Sequence, residues 1–435
     1  MIWALIILAG CKEPEPTLTA EELRNPETCA GCHPTQYEQW SGSMHAYASI
    51  DPVFRAMNNR GQRETDGELG DFCVQCHAPV ALDLGETEDG TNIAEVDDHL
   101  QGVGCVYCHT TVEVTGTHNA ALRQSDEKVL YAGITDPIEN TAHDMGYSRL
   151  MDRNAPESSD TCGACHDIVL DSGLHIEQTH LEWQESLFNQ SGSGRLSCNH
   201  CHMRAEDGVV AAGGPQRLIH DHSMPGVDVA LIDFPQKDAQ LEGVQRELDL
   251  TLLSILCVTP IAGGSEIILQ LENAGAGHKW PSGATFDRRA WAEITAYNGD
   301  DVIFANETVP RGTALKDVVD PNRWEMHDIA TIRGSDAHPM IWEVEELERR
   351  ALPAPTTTDP TDPAFFHSVE RRWPLAGQVP DRVVARVFIR PFGLEILEDL
   401  VESGDLDASI IANVPTFELQ GAAIEWAGEL GSCTD

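Results

Sequence analysis

Five copies of one short cysteine motif constrain this chain more than any other feature of its sequence. Each copy has two cysteines separated by two residues and followed directly by a histidine. The 435 residues include only 18 histidines, so chance would place one after all five cysteine pairs with a probability on the order of 10⁻⁷. The copies are CAGCH at 29–33, CVQCH at 73–77, CVYCH at 105–109, CGACH at 162–166 and CNHCH at 198–202.

The motif has the spacing of covalent haem attachment. Two thiols on one helical turn can form thioether bonds with the two vinyl groups of a haem, and the adjacent histidine then reaches the iron as the proximal ligand. We therefore expect five covalent haem c groups. The expected attachment residues are Cys29, Cys32, Cys73, Cys76, Cys105, Cys108, Cys162, Cys165, Cys198 and Cys201, and the expected proximal ligands are His33, His77, His109, His166 and His202.

Other uses of paired cysteines fit this pattern less well. A zinc ribbon also contains C-x-x-C pairs, but it gives no reason for a histidine after every pair. A thioredoxin-like redox pair usually occurs singly, near a βαβ pattern that this region lacks. The motifs occupy only residues 29–202, so the haems themselves must supply much of the buried apolar surface there.

The charge of the chain is strongly acidic. It has 28 Lys and Arg against 71 Asp and Glu, for a formal net charge of −43. Such a surface repels polyphosphate backbones, so nucleic acid is excluded as a partner. We expect redox partner proteins instead, either basic proteins or other multihaem cytochromes; a purely solubilising surface is the alternative.

The N-terminus, MIWALIILAGC, has an apolar run that is too short to span a bilayer. Residues 8–11 resemble a bacterial lipobox, in which cleavage before Cys11 leaves the thiol of that cysteine lipidated. We expect a lipoprotein signal segment at 1–10, a polar tether at 11–25, and export to the periplasm or cell surface with a lipid anchor in a bacterial membrane. No Lys or Arg precedes the apolar run, although secretory signals normally begin with one, so an accidental cysteine is the alternative.

Two cysteines are left over from haem attachment and lipidation, Cys257 and Cys433. Export implies an oxidising compartment, in which these two residues can form a disulfide. Two buried free thiols are the alternative, because the sequence does not show whether the Cα atoms lie close enough to be bridged.

The chain resembles the multihaem cytochrome c family related to cytochrome c-554. The matching stretches are CAGCH followed by WSGSMHA, FCVQCHAPVAL, GVGCVYCHT, AHDMGYSRLM followed by CGACHDIVL, and CNHCHM followed by HDHSMPGVD. Further along, NAGAGHKWPSG and RVFIRPFGLEILEDLVESGDLD are similar to later elements of the same cytochromes. The resemblance implies that His45, His143, His222 and His278 are distal iron ligands.

A fifth distal ligand is chosen on proximity alone. His118 lies nine residues after His109 and is the nearest histidine along the chain on that side. Two imidazoles on every iron would favour low reduction potentials. The competitors for a distal position are His99, His200 and His220, and Met44, Met145 and Met224.

After about residue 235 the sequence changes to the alternation of β-strands. Asn298-Gly299-Asp300 is a predicted turn between two strands, and segment 394–404 is a predicted amphipathic helix that ends at Gly404. The predicted strands are 266–273, 290–297, 301–309 and 382–390.

These patterns predict an α+β fold with two domains. A mainly helical and irregular pentahaem cytochrome domain is expected at 26–235. A β-sandwich-like domain, with one helix near 394–404, is expected at 236–435.

The sequence predicts electron transfer by a lipid-anchored pentahaem cytochrome of the bacterial cell envelope. Closely spaced haems exchange electrons while the protein sets their ligands and their electrostatic surroundings. The alternative is an oxidoreductase, since relatives in the broad group convert small nitrogen or sulfur compounds at a five-coordinate haem. No C-x-x-C-K motif occurs, which disfavours a nitrite reductase. An electron carrier is favoured, and no catalytic residue is assigned.

Overall fold

The computed structural model describes residues 17–125, 128–138, 140–190, 194–333 and 338–435. The predicted lipidation site Cys11 and the signal segment 1–10 lie outside these ranges. None of the helices within them combines the length and apolarity needed to cross a bilayer.

The first half of the described chain consists of short helices joined by long loops and small sheets. Several helices begin with proline in the first turn, where the missing N–H costs no hydrogen bond. The helices are α1 (Ala20–Arg24), α2 (Pro26–Ala30), α3 (Pro34–Ser41), α4 (Met44–Tyr47), α5 (Pro52–Glu64), α6 (Val74–His77), α7 (Pro79–Asp83), α8 (Cys105–His109), α9 (Glu157–His166), α10 (Thr179–Glu185) and α11 (Cys198–His202).

Four two-stranded sheets connect these helices. Three of the sheets are antiparallel, and the pair β3 and β4 is parallel. Each is too small to form a core of its own, so this region depends on other groups for its buried surface. The strands are β1 (Thr111–Val114), β2 (Leu122–Gln124), β3 (Val129–Ala132), β4 (Asp144–Tyr147), β5 (Asp167–Val169), β6 (His175–Gln178), β7 (Ala205–Val209) and β8 (Gln216–His220).

The last part of the predicted tether, residues 17–25, is folded against the rest of the chain. Helix α1 begins with a capping box, in which the hydroxyl of Thr19 and the carboxylate of Glu22 satisfy backbone N–H groups. Leu23 is buried, and the backbone N–H of Thr17 donates to the carbonyl oxygen of Thr141. Residues 17–25 are therefore part of the folded protein, although their polar composition predicts a tether.

The second half of the chain is a sandwich of two sheets. One sheet has the order β16-β10-β9-β20 and the other β12-β11-β17-β18, with β13 beside β11 and β19 beside β17; the strands β14 and β15 form a separate pair. The elements are α12 (Lys237–Leu248), β9 (Leu252–Ile261), β10 (Gly264–Asn273), β11 (Arg289–Asn298), β12 (Asp301–Ala305), β13 (Trp324–Glu325), β14 (Ile329–Thr331), β15 (Glu346–Glu348), β16 (Val369–Ala376), β17 (Arg382–Arg390), α13 (Leu394–Glu402), β18 (Phe417–Glu418), β19 (Ile424–Trp426) and β20 (Ser432–Thr434).

The sandwich core lies between the inner faces of these two sheets. Leu256, Leu269 and Val387 are fully buried in it, and burial alternates along β10, as it does in a strand with one face on the core. The predicted α+β fold with a sandwich-like second half is confirmed. Strand 301–309 ends early, at Ala305, because the next side chain, Asn306, turns inward and hydrogen-bonds the backbone of β11.

The two halves of the chain are packed against each other through helix α5. Val53 on α5 is 1% exposed and belongs to the sandwich core. On the outer side of the same helix, the guanidinium of Arg60 lies 2.7 Å from the carboxylate of Asp399 on α13. Arg63 donates two hydrogen bonds to Asp405. The sandwich is therefore attached to the helical half rather than joined to it by a linker alone.

Cys257 and Cys433 form a disulfide in this structure. Cys257 lies on β9 and Cys433 lies opposite it on the edge strand β20. The bond fastens the C-terminal strand to the first sheet. None of the ten motif cysteines forms a disulfide within the described residues.

Candidate haem sites

Four of the five motifs, numbered 1 to 5 in chain order, share one local arrangement; in motif 1, helix α2 ends at Ala30 and His33 stands directly before α3. In motifs 3 and 5 the whole motif is a single helical turn, α8 and α11. Motif 4 forms the end of α9, and motif 2 spans the start and the turn of α6. A helical turn brings residues three apart onto one side, so both thiols of a motif face the same space as the histidine that follows them.

Four of the motif histidines have their Nδ1 atoms fixed by backbone carbonyl groups. A carbonyl oxygen can only accept, so each Nδ1 donates and Nε2 is left unprotonated and free to bind a metal. The Nδ1–H groups of His33, His77, His109 and His202 donate to the carbonyl oxygens of Val210 (2.6 Å), Ala48 (2.9 Å), Tyr131 (2.7 Å) and Pro225 (2.8 Å).

Four motif histidines also face a second imidazole at nearly constant separation. Two axial nitrogens at roughly 2 Å from one metal place their ring centres about 6 Å apart. The observed ring-centre separations fit an iron held between the two rings of each pair. The pairs are His33 with His143 (6.3 Å), His45 with His166 (6.2 Å), His109 with His222 (6.4 Å) and His202 with His278 (6.4 Å).

The second histidines of these pairs are held by their own local contacts. The Nδ1–H groups of His143, His222 and His278 donate to the carbonyl oxygens of Asp144, His220 and Lys279. His45 lies on α4, which is capped by Ser43, and its buried Nδ1 has no hydrogen-bond partner among the described residues. The four distal candidates implied by the resemblance therefore each lie opposite a motif histidine.

Burial keeps three of these imidazoles in the form that can bind a metal. Removal from water lowers the pKa of His45, His222 and His278 to about 4 in each case. The rings are neutral near pH 7, and a neutral imidazole is the metal-binding form.

Motif 2 differs from the other four motifs. The ring contact of His77 is with Phe54 on α5, whose ring is stacked on it at 4.2 Å between centres and 11° between planes. Within the described residues, no imidazole faces His77 as the others are faced. His118, the fifth distal candidate, lies instead 6.5 Å from His175 in an exposed pair, because the side chain and backbone of Asn119 tie its loop to β5.

Three pairs of cysteine side chains from different motifs interact with each other. Haems attached at these thiols would be close neighbours. The pairs link motif 1 with motif 3, motif 2 with motif 4, and motif 4 with motif 5; they are Cys29 with Cys105, Cys76 with Cys165, and Cys162 with Cys198. Cys108 of motif 3 also interacts electrostatically with Cys165 of motif 4. The five motifs thus form one connected group, with motif 2 as a branch beside motif 4.

Charged side chains lie next to motifs 2 and 4. Arg288 and Asp228 form a pair of hydrogen bonds at 3.0 and 3.1 Å. The carboxylate of Glu177 on β6 interacts electrostatically with Arg288 and with the thiol of Cys76. Burial raises the pKa of Glu177 to about 7, so this group can change its protonation state near neutral pH.

Two comparisons with known proteins found similarities to cytochromes. The family model described as cytochrome c554 and c-prime matches residues 28–110. The crystal structure of a penta-heme cytochrome c552 from Thermochromatium tepidum is similar to this fold, with a TM-score of 0.62 and 20% sequence identity over 93% of this chain and 99% of that chain. No curated protein matches the chain.

The attachment motifs, the paired imidazoles and these likenesses support a multihaem cytochrome of the c type. The motifs would hold haem c, and proteins of this class transfer electrons. Over residues 28–110 the chain is similar to the proteins described as cytochrome c554 and c-prime.

Several residues that shape the sites carry no signal in the sequence. Phe54 belongs to an ordinary amphipathic helix, and only the fold brings it onto His77. Gln39 accepts a hydrogen bond from the backbone N–H of His222, which is 183 residues away in sequence. The carbonyl groups that fix the imidazoles belong to residues of any type, so composition could not have indicated them.

Proposed function

We propose that this chain carries electrons along five covalently bound haems. The observation that supports this most directly is the set of cysteine interactions between motifs, which links motif 1 to motif 3, motif 3 to motif 4 and motif 4 to motif 5. Haems attached there would form a line in the order 1, 3, 4, 5, with haem 2 branching from haem 4. A line of this kind moves an electron across the protein without any large movement of the chain.

Four of the five irons are proposed to have two histidine ligands. The proposed distal ligands are His143 for haem 1, His222 for haem 3, His45 for haem 4 and His278 for haem 5. Bis-histidine ligation holds potentials below those of His/Met haems. The net charge of −43 favours the more positive oxidised iron, and so it lowers the potentials further.

Export and membrane attachment through Cys11 are part of the same proposal. The lipobox-like residues 8–11 support it, and so does the Cys257–Cys433 disulfide, because disulfides persist in oxidising compartments. The acidic surface suits basic redox proteins or the basic face of another multihaem cytochrome.

Mass spectrometry of the mature protein tests the haem count and the anchor together. We expect a chain that starts at a lipidated Cys11 and carries five haem masses. A haem-free or zinc-loaded mass would contradict the proposal. A mature chain that keeps residues 1–10 would contradict only the anchor.

A second candidate function, oxidation or reduction of a small nitrogen or sulfur compound, is favoured by the surroundings of His77. Its ring is stacked on Phe54, and it has no facing imidazole among the described residues. Haem 2 would then present an open iron, which supplies the binding site and the electrons. Glu177 interacts with the thiol of Cys76, and Arg288 interacts with Glu177, so this group can supply a proton and a positive charge.

Electron paramagnetic resonance of the oxidised protein distinguishes the two functions. We expect four low-spin irons and one high-spin iron, and the high-spin signal should convert on adding imidazole. A shift with nitrite, hydroxylamine or a sulfur oxyanion supports the enzyme. Five low-spin signals would contradict the open iron and leave the electron carrier.

A further inference from the structure

The sandwich half of the chain contributes one of the paired imidazoles through a loop. Residues 274–288 join β10 to β11, and His278 in this loop faces His202 of motif 5 with its ring plane tilted by only 10°. The loop has to cross from the sheets to the helical half. Its position depends on contacts made after it leaves β10.

One carboxylate, that of Glu182 on α10, holds the loop directly after His278. Its Oε2 atom accepts hydrogen bonds from the backbone N–H of Lys279 (3.2 Å) and from the hydroxyl of Ser282 (2.7 Å). Its Oε1 atom lies 3.7 Å from Nζ of Lys279. Glu182 is only 6% exposed, so these contacts are made out of water.

Helix α10 also holds the loop and motif 5 through two other residues. The hydroxyl oxygen of Thr179 accepts a hydrogen bond from the N–H of Gly283 (3.0 Å). On the same helix, the indole N–H of Trp183 donates to the carbonyl oxygen of Leu196 (2.9 Å), two residues before α11. One short helix therefore sets both sides of the motif 5 site.

Burying the charge of Glu182 is costly unless its oxygens are hydrogen-bonded. Burial raises the pKa of this carboxyl, and the contacts with Ser282 and Lys279 act in the opposite direction. The loop supplies these compensating contacts only when it is docked on α10. The hydrogen bonds that compensate the buried charge of Glu182 therefore form only when loop 274–288 is docked on α10.

We propose that Glu182 is a positioning residue that keeps His278 on the iron of haem 5 and so sets the ligation state of that iron. The proposal rests on His278 being the distal ligand of haem 5, as put forward above. Removing the carboxylate releases the loop, and the iron loses its sixth ligand while the other haems keep theirs. Haem 5 then changes from low-spin to high-spin, and its potential rises.

The test uses the full, haem-loaded protein and compares three variants by electron paramagnetic resonance and redox titration. His278→Ala identifies the signal of haem 5 by its loss. We expect Glu182→Ala to lose most of the same low-spin signal and to gain a high-spin one. Glu182→Gln should keep most of the low-spin signal of haem 5, since an amide oxygen can accept hydrogen bonds from Ser282 and Lys279. The exposed residue Glu185 on the same helix gives the matched control, Glu185→Gln.

The outcomes separate the two ideas. If His278→Ala leaves every low-spin signal in place, the ligation is wrong. If His278→Ala removes a signal and Glu182→Ala does not, only the role of Glu182 is overturned. Should Glu182→Ala fail to fold, Ser282→Ala removes one of the two contacts to Oε2. We expect it to raise the high-spin fraction of haem 5 measurably, and an unchanged spectrum would refute the proposal.

Discussion

The ring of Phe54 lies flat against the ring of His77, and this geometry decides what Phe54 can do. An axial ligand points its nitrogen at the iron, so the iron lies in the plane of the imidazole ring, beyond Nε2. The Phe54 ring is stacked on the face of the imidazole, with 11° between the planes. It therefore lies beside the direction in which Nε2 points and does not block it. Phe54 would therefore help to orient His77 without covering the far side of an iron bound at Nε2.

Glu177 is expected to couple electron uptake to proton uptake at the same site. Reduction would add negative charge near the carboxyl and raise its pKa above the value of about 7 that burial gives it. The potential of haem 2 or haem 4 should then fall as pH rises through this range, by at most about 59 mV per pH unit. Redox titration of Glu177→Gln between pH 6 and 8 should show a much smaller slope.

Glu185→Gln is the control for this measurement, because Glu185 is exposed. It removes the same charge from a position in water, where screening is strong. It should keep the slope of the unmodified protein. An equal slope in Glu177→Gln and the unmodified protein would show that another group takes up the proton.

At the scale of elements, α13 attaches the helical half to the sandwich. Its apolar side, with Leu394, Leu397 and Leu400, is buried in the sandwich core, and Asp399 on the same helix pairs with Arg60 of α5. The helix thus contacts the sheets with one face and the helical half with another. The predicted amphipathic segment 394–404 corresponds to α13 and the turn that follows it, in which Gly404 adopts a φ of 82°.

Removing the side chain of Leu397 tests the contribution of α13 to stability. Leu397 is fully buried, so Leu397→Ala should leave a cavity and cost about 2–5 kcal/mol. Urea denaturation followed by far-ultraviolet circular dichroism measures this cost. Glu398→Ala changes the next residue, which is exposed, and should stay within about 0.5 kcal/mol. If both variants lose similar amounts of unfolding free energy, the apolar face of α13 does not account for its attachment to the sandwich.

At the scale of the whole molecule, the disulfide closes the longest covalent loop of the described chain. Cys257 and Cys433 are separated by 176 residues. Replacing both by serine should lower the free energy of unfolding by on the order of 4 kcal/mol, because the unfolded chain gains conformational freedom. Urea denaturation checks this, and the Soret absorbance should be unchanged since no motif cysteine is altered. The double serine variant should have the same free energy of unfolding as the unmodified protein with its disulfide reduced.

The net charge of −43 predicts salt-dependent reaction with a basic redox protein. Raising the ionic strength from about 0.01 M to 0.15 M shortens the screening length from about 30 to 8 Å. The rate of electron exchange with a basic cytochrome, followed by stopped-flow absorbance, should fall about tenfold or more. An acidic cytochrome serves as the control and should react faster as salt increases. A rate that does not depend on salt would argue against charge-guided encounter.

Much of this protein could be predicted from local patterns in its sequence. The C-x-x-C-H motif is a single helical turn, so five residues define an attachment site without reference to the rest of the chain. Strand β17 and helix α13 likewise follow from alternation and amphipathic spacing within about ten residues. The end of β12 at Ala305 did not follow, since it depends on contacts that Asn306 makes with another strand.

What only the tertiary structure decided is which distant residues meet. His143 faces His33 across 110 positions of sequence, His118 pairs with His175, and His77 lies against Phe54. The order of the haem sites and the role of Glu182 arise in the same way. The sequence determined the chemistry of each site because that chemistry is local. The partners depended on the fold because imidazoles, carboxylates and backbone carbonyls have no preferred partner until packing brings them together.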